Sequence, residues 1–248
     1  MFSSKKNKDI LNLIKREPNK EKQNMLKEVY YNNLRYASTP KLVKSFKEII
    51  NAMIVVDRKF FVKKGEKYCY EDTPLPIGNN QTISQPTTVA RMLLLSRLKP
   101  KMDVLEVGAG SGWNGSLTAF IVKPGKVLGV ERIKPLAENA KNNLKQFKIK
   151  TKIKINAEFL HADALDKTSK IWKKKYDRII VTAGVGPESL KKMREAGKDL
   201  LKENGLLLYP TNELGSYGAL ELWQKQKNKL KQVLREEGYS FVPLLRGK

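Results

Sequence analysis

Cysteine and histidine are almost missing from this chain of 248 residues, which has one of each, Cys69 and His161. A single cysteine cannot form a disulfide within the chain, and the two residues cannot supply the ligands of a Cys/His zinc site. Hydrolase chemistry of the serine–histidine or cysteine–histidine type would depend on His161 alone, so we do not expect it. These absences exclude disulfide-rich and zinc-binding classes, and we expect no bound metal.

Long apolar runs are missing as well. No stretch reaches the roughly 18 consecutive apolar residues that span a membrane. The first residues, MFSSKKNK, lack the apolar core of a signal peptide. We therefore expect a soluble cytoplasmic protein, monomeric and without a membrane partner. Hydrophobic residues still make up 40% of the chain, which is enough to bury a core.

Acidic residues are scarce relative to basic ones: 49 Lys and Arg against 25 Asp and Glu give a formal net charge of +24. A basic surface attracts the phosphate backbone of nucleic acids without regard to sequence. The excess is mostly lysine scattered over the whole chain, a pattern that also fits a compositional bias at solvated positions. We favour the bias, and nonspecific nucleic-acid contact through the basic surface stays open.

Strand and helix patterns alternate through residues 40–248, which predicts an α/β fold with a mostly parallel twisted sheet and helices on both faces. Residues 1–39 are predicted to be a Lys-rich, partly helical N-terminal extension. Residues 58–81 are predicted to be a long structured loop, because glycine and proline interrupt them. Short apolar runs predict strands at residues 104–107, 126–130, 159–160, 178–181, 206–209, 220–223 and 241–244.

Capping signals mark two helix starts. Thr39 followed by Pro40 predicts an N-cap and a first helical residue. A second helix is predicted over residues 86–98, and Ser84 is expected to be its N-cap. Residues 149–155 alternate strictly with lysine, which would place the lysines on one face of a strand. We interpret that strand as an exposed sheet edge whose charges block pairing, and a phosphate-contacting ridge is the alternative.

The run EVGAGSG at residues 106–112 follows a predicted strand and opens a helix. Glycine allows a tight turn and the close approach of a ligand to the backbone, but such loops occur in several nucleotide-binding folds. Two further acidic residues make this nucleotide-binding pattern more specific. Glu131 ends the next strand, where it can accept hydrogen bonds from both hydroxyls of a ribose. Asp163 ends the third strand, where it can meet the edge of an adenine.

The ligand that suits this set is S-adenosylmethionine. Its sulfonium is a cation and it carries no phosphate, whereas a phosphate ligand would call for the Gly-Lys-Ser/Thr loop that this chain lacks. We therefore predict a cofactor site that contains Glu106, Gly108, Gly110, Glu131 and Asp163.

A second motif identifies a family. The run PLPIGNNQTISQP at residues 74–86, followed downstream by the glycine loop, closely resembles the protein-L-isoaspartate O-methyltransferase family. Further matches are VDRKFFV at 56–62, VERI at 130–133, YDRIIVTA at 176–183 and YSFVPL at 239–244, so the resemblance covers roughly residues 43–248.

The resemblance implies a Rossmann-like class I methyltransferase domain over residues 40–248. It implies methyl transfer from S-adenosylmethionine to the free α-carboxylate of L-isoaspartyl residues in damaged peptides and proteins, and the ester then collapses to a succinimide. A carboxylate has a pKa near 4, so the acceptor is already ionised at neutral pH and needs no general base. Catalysis can then depend on holding the reacting atoms in line.

By this resemblance Ser84 is the active-site residue, and its hydroxyl orients the acceptor carboxylate. Thr82 and Ile83 would shape the same substrate pocket, Gln81 would border the cofactor, and Ala109 and Ala164 would join the cofactor site. The chain departs from the family pattern around residues 204–205, 211–212 and 218–220, on the expected acceptor side.

An RNA methyltransferase with the same cofactor fold is the alternative, motivated by the net charge. The fourth predicted strand ends in Val181-Thr182-Ala183-Gly184, which is not the Asn/Asp-Pro-Pro-aromatic pattern of amino-group methylation on adenine. A noncatalytic binding module is less favoured, because the acids and glycines of the cofactor site are all present.

Overall fold

A computed structural model gives the fold and describes residues 4–212 and 217–245. The described residues form a seven-stranded sheet in the order β5-β4-β3-β6-β7-β8-β9 and a separate hairpin, β1-β2. The strands are β1 (Leu75–Gly78), β2 (Gln81–Ile83), β3 (Asp103–Val107), β4 (Lys126–Glu131), β5 (Ala157–His161), β6 (Tyr176–Val181), β7 (Leu201–Pro210), β8 (Gly218–Gln226) and β9 (Lys229–Tyr239). The helices are α1 (Ser4–Lys15), α2 (Lys20–Asn33), α3 (Pro40–Val55), α4 (Pro86–Leu95), α5 (Trp113–Val122), α6 (Lys134–Thr151) and α7 (Pro187–Leu200).

Strands β3 to β7 run parallel, and β8 and β9 are antiparallel additions at one side. Parallel strands need crossover connections: α5, α6 and α7 supply three of them, and the connection from β5 to β6 contains a short 3-10 turn at Lys170–Lys173. Val107 at the end of β3 is level with Val130 of β4 and with Val181 of β6. The carboxyl ends of these strands therefore meet at one edge of the sheet, where open α/β folds bind ligands.

Apolar residues cover both faces of the sheet, as a doubly covered parallel sheet requires. Val104 and Ile180 face a core shared with α1 to α6, whereas Leu105 and Val181 face a core shared with α7. The predicted α/β class with helices on both faces is confirmed.

The N-terminal helices α1 and α2 pack on this body. Their Ile10, Ile14 and Leu26 side chains are fully buried in the larger core. The Lys22 ammonium, also buried, lies 3.0 Å from a carboxylate oxygen of Glu17 and 3.0 Å from one of Asp57. A division of the chain at residue 39 stays a prediction.

The lysine-rich alternation at residues 149–155 is not a strand, so that prediction was wrong. Helix α6 continues to Thr151, because Leu144 and Phe147 are buried at helical spacing. The helix ends at Lys152, which has a left-handed φ of 60°. The alternation is a local coincidence of composition, and Ile149 stays half-exposed. The third strand of the parallel part, β5, does lie at the sheet edge, as expected.

The end of the chain also differs from the prediction. The last strand is β9, whereas residues 241–244 contribute only a bridge between Pro243 and Gly184. Strand β9 carries charged and exposed residues along most of its length, so no apolar run marked it. It pairs with β8 through a turn at Lys227 and Asn228, whose φ values of 48° and 59° are typical of a tight hairpin.

Two further elements were not predicted. Helix α7 lies in a lysine-rich stretch that was not assigned a structure, and it buries Met193, Ala196 and Leu200 at helical spacing. The predicted loop at 58–81 contains strand β1, which pairs with β2 across Asn79 and Asn80. Both asparagines have positive φ, as a two-residue hairpin turn needs.

Candidate active site

A glycine turn at the carboxyl end of β3 forms the centre of the site. Gly108 and Gly112 have φ values of 86° and 84°, a conformation that favours glycine. A Cβ atom at Gly112 would lie 2.9 Å from the Phe159 ring, and one at Gly108 would lie 3.3 Å from Thr182 Oγ1. Glycine is therefore required here by the backbone conformation and by close neighbours, and the turn presents its backbone to the adjoining cavity.

Glu131 ends β4 beside this turn and is 7% exposed. One carboxylate oxygen accepts a hydrogen bond of 2.9 Å from the Gly110 N–H, and the other accepts one of 2.9 Å from the Ile133 N–H. Asp163 follows β5 and accepts a bond of 2.8 Å from the Leu165 N–H. Both acids line the same cavity, so the two predicted strand-end acids are brought together.

Glu106 lies within β3 and is 1% exposed. The Asn114 amide donates a 2.8 Å hydrogen bond to Oε1, whereas Oε2 is buried without a partner in the described parts of the chain. Burial raises the pKa of Glu106 to about 8, and the nearby charge of Glu131 acts in the same direction. A buried carboxyl group that borders a cavity together with the glycine turn fits a cationic ligand, because a cation would stabilise its ionised form.

Strand β2 and the residue that follows it lie beside the glycine turn. Thr82 of β2 borders the cavity of Glu131 and Asp163, the cavity of Glu106, and an open groove on the other side. Ser84, directly after β2, borders both the Glu106 cavity and the groove. Residues 82–84 therefore separate a cofactor side from an acceptor side.

All residues of the predicted site line the two adjoining cavities. Those at the first cavity are Gln81, Thr82, Gly108, Gly110, Glu131, Asp163 and Ala164. Those at the second, some of them shared with the first, are Thr82, Ile83, Ser84, Glu106, Gly108, Ala109 and Gly110. Their individual roles stay predictions.

Ser84 is not the N-cap of α4, so that expectation was wrong. The N-cap position is Gln85, which makes no side-chain cap. Asp72 caps the helix from a distant loop, because its carboxylate accepts bonds from the Thr87 N–H at 2.7 Å and the Thr87 hydroxyl at 2.6 Å. Among the described residues the Ser84 hydroxyl has no hydrogen-bond partner, so capping does not occupy it.

The groove beside Ser84 includes residues from the N-terminal extension, where the sequence indicated no chemistry. Arg35 and Tyr36 line it together with the end of β9. Arg91 holds these parts in place, since its guanidinium stacks 3.5 Å from the Tyr36 ring centre and forms an ion pair with Glu236. Tyr239 donates a 2.5 Å hydrogen bond to the same carboxylate.

The described ranges, 4–212 and 217–245, lack two kinds of feature. No group of three or more His, Cys, Asp or Glu side chains there could hold a metal ion. No helix in the same ranges has the length and apolarity that a membrane crossing requires.

A sheet of this kind, with a glycine turn and strand-end acids beside a hydroxyl-bearing segment, defines the class: a Rossmann-like class I methyltransferase. The chain belongs to the protein-L-isoaspartate(D-aspartate) O-methyltransferase family, whose family model matches residues 13–248.

Relatives and solved structures agree. The chain is 41% identical to the protein-L-isoaspartate O-methyltransferase of Pyrococcus horikoshii, over 82% of this chain and 87% of that protein. It is 39% identical to the Methanopyrus kandleri protein of the same name, over 79% of this chain and 83% of that protein. A Plasmodium falciparum structure, described as such a methyltransferase in complex with S-adenosyl-L-homocysteine, matches with a TM-score of 0.70 and 29% identity, covering 89% of this chain and 98% of that one.

Proposed function

We propose that this chain transfers a methyl group from S-adenosylmethionine to the free α-carboxylate of L-isoaspartyl residues in damaged peptides and proteins. The ester then collapses to a succinimide, which starts repair. The observation that carries this proposal is the placement of Thr82 and Ser84 between a cavity lined by acids and an open groove. The family and its relatives support the same activity, and they do not favour the RNA methyltransferase alternative.

The residues present fit the methyl donor. We assign the nucleoside to the cavity of Glu131, Asp163 and Ala164, and the cationic part to the cavity that the buried Glu106 borders. Gly108, Ala109 and Gly110 would approach the donor with their backbone, and Gln81 would border it. When bound, the donor supplies a methyl group on a positively charged sulfur.

On the other side of residues 82–84 we assign the acceptor to the groove at Ser84. The Ser84 hydroxyl would donate a hydrogen bond to the acceptor carboxylate and fix its direction, while Thr82 and Ile83 would shape the pocket. The attacking oxygen is anionic at neutral pH, forms a bond to the methyl carbon and releases a neutral thioether, so no proton has to move. Orientation is then the main contribution of the protein.

The test of this role is Ser84→Ala. A hydrogen bond to a charged group contributes about 1.5–3 kcal/mol, so we expect kcat on an isoaspartyl peptide to fall by about 10- to 100-fold. Affinity for S-adenosylhomocysteine should stay within about twofold, because Ser84 acts on the acceptor. Ser96→Ala is the matched control, since the Ser96 hydroxyl donates to Met92 O of its own helix, at the far end of α4. An unchanged kcat in Ser84→Ala would refute the role.

The wild-type enzyme should methylate an isoaspartyl peptide and leave the matching aspartyl peptide and total RNA unmodified. We further propose a monomeric, cytoplasmic enzyme whose net charge of +24 gives only salt-sensitive, nonspecific contact with nucleic acid. Light scattering, cell fractionation and RNA binding across a salt series check these three points.

A further inference from the structure

Arg58 is a buried residue of the VDRKFFV motif, and the proposed mechanism assigns it no role. Its side chain is 0% exposed. Nη1 donates to the carbonyl oxygens of Cys69 at 3.1 Å and Glu71 at 2.9 Å, and Nη2 donates to those of Thr73 at 2.9 Å and Ser84 at 3.2 Å. One guanidinium therefore ties the loop at residues 69–73 to the backbone of the proposed active-site serine.

The same short segment also binds the cofactor side. The Trp113 indole N–H donates a 2.9 Å hydrogen bond to the carbonyl of Val56, two residues before Arg58. The Arg58 guanidinium carbon lies 5.4 Å from the centre of the Trp113 ring. Trp113 is the first residue of α5 and directly follows Gly112 of the glycine turn. Residues 56–58 thus contact both halves of the site.

The segment is itself held firmly. The Asp57 carboxylate accepts hydrogen bonds from the Tyr70 hydroxyl at 2.8 Å and from the buried Lys22 ammonium at 3.0 Å. Its neighbours therefore fix Arg58 from α2 and from the loop at residues 69–73, so that a change at Arg58 is not absorbed by movement of its own backbone.

We propose that Arg58 is a positioning residue that sets the place of Ser84 relative to the glycine turn, and hence the alignment of acceptor carboxylate and methyl donor. The proposal rests on the acceptor role proposed for Ser84. Lysine cannot replace arginine here. Two separate nitrogens of the planar guanidinium donate to four carbonyl oxygens, whereas a single ammonium nitrogen has only three N–H groups.

The chain offers a matched control in Arg178. That side chain is also buried, at 8% exposed, and it also donates to backbone carbonyls, those of Ser96 at 2.6 Å and Asp177 at 2.6 Å. It lies near the amino end of β6, level with Val104, whereas the site is at the carboxyl ends of the strands. Arg178→Lys therefore reports what a buried, carbonyl-binding arginine contributes to stability alone.

The test compares Arg58→Lys, Arg178→Lys and Ser84→Ala, assayed well below their melting temperatures. Displacement of a reacting group by about 1 Å can cost about 100-fold in rate, so we expect kcat of Arg58→Lys to fall about tenfold or more. Its affinity for S-adenosylhomocysteine should stay within about twofold of the wild type. Arg178→Lys should lose Tm to a similar degree and retain its kcat. In Arg58→Ala, low millimolar guanidinium should restore part of kcat, and it should restore none in Ser84→Ala.

Every outcome of this comparison supports or refutes the positioning role of Arg58. Retention of kcat in Arg58→Lys, or an equal loss in Arg178→Lys, would overturn the positioning role. A wild-type kcat in Ser84→Ala would refute the role proposed for Ser84, whatever the kcat of the Arg58 variants. A reduced kcat in Ser84→Ala together with a wild-type kcat in Arg58→Lys would refute only the present inference.

If the Arg58 variants do not fold, Trp113→Phe is the second test, because it removes the hydrogen bond to the Val56 carbonyl. That variant should lower kcat several-fold at saturating cofactor, and an unchanged kcat would refute the link between the two halves.

Discussion

The two halves of the active site are built in different ways. On the cofactor side, Glu106, Glu131 and Asp163 lie in or directly after neighbouring parallel strands, whose register is set by backbone hydrogen bonds. On the acceptor side, segments from distant parts of the chain meet, and single side chains such as Arg58 and Asp72 hold them together. Regular sheet geometry places the first half, and long-range bonds from side chains to backbone place the second. Substitutions on the two sides should therefore impair the enzyme in different ways.

The largest effect is expected from Glu131→Ala, which removes the acceptor for the Gly110 and Ile133 N–H groups. It also removes the carboxylate to which the two ribose hydroxyls of the ligand would donate. Because hydrogen bonds to a charged acceptor contribute about 1.5–3 kcal/mol each, affinity for S-adenosylhomocysteine should fall about 100-fold or more. Isothermal titration calorimetry measures this loss. Glu158→Ala is the control, since Glu158 is half-exposed on β5 and forms an ion pair with Lys126. Equal loss in both variants would mean that the strand-end position of Glu131 has no special role.

A smaller effect with a distinctive pH dependence is expected from Glu106→Gln. The pKa of Glu106 in the folded protein is raised from 4.5 to about 8, so its carboxyl group is mostly protonated at pH 7 before the donor binds. A cationic ligand favours the ionised form, so binding should release close to one proton near pH 7, and affinity should rise as pH approaches 8. Calorimetry in buffers of different ionisation enthalpy measures the release, which Glu106→Gln should abolish.

The same shift sets the sign of a stability effect. The folded, ligand-free protein binds the Glu106 proton more tightly than the unfolded chain does. Its contribution to stability is therefore fully present below pH 4.5 and is lost as pH rises to about 8. In urea unfolding, wild type and Glu106→Gln should diverge steadily from about pH 4.5 to about pH 8 and run parallel above it. Parallel curves between these two pH values would contradict the assignment of the raised pKa to Glu106.

The smallest effect is expected on the acceptor side, from Asp72→Ala. The variant loses the cap of α4, which costs about 1 kcal/mol of stability, and it frees the loop that begins this helix next to Ser84. KM for an isoaspartyl peptide should rise several-fold, with cofactor affinity unchanged. Thr39→Ala removes the cap of α3 at Leu42 and should cost a similar free energy without changing KM. A rise in KM in both variants would show that stability, and not the loop, determines peptide affinity.

The cofactor half could be predicted from the sequence because its signals are local. Each parallel strand is a short apolar run, and the glycines and acids that matter lie at the ends of those runs. The structure brings Glu106, Glu131 and Asp163 together at adjoining cavities, as strand ends in one sheet imply, and their roles stay predictions.

The acceptor half could be predicted only in part. The segment at Thr82 and Ser84 was found by resemblance, but Asp72 as a helix cap and Arg58 as a bridge join residues that are far apart in sequence and leave no periodic signal. Strand β9 was not predicted, because its exposed charged residues obscure the alternation of apolar and polar positions. Residues 149–155 show that alternation although they lie at the end of helix α6. Arg35 and Tyr36 reach the groove through tertiary packing, which composition alone does not reveal.

The measurement that tests the account most directly is a crystal structure with S-adenosylhomocysteine and an isoaspartyl peptide bound together. We expect the thioether in the cavity of Glu106, and the acceptor carboxylate within about 3 Å of the Ser84 hydroxyl, on the far side of residues 82–84. A carboxylate bound away from Ser84, or a nucleoside outside the cavity of Glu131 and Asp163, would contradict it.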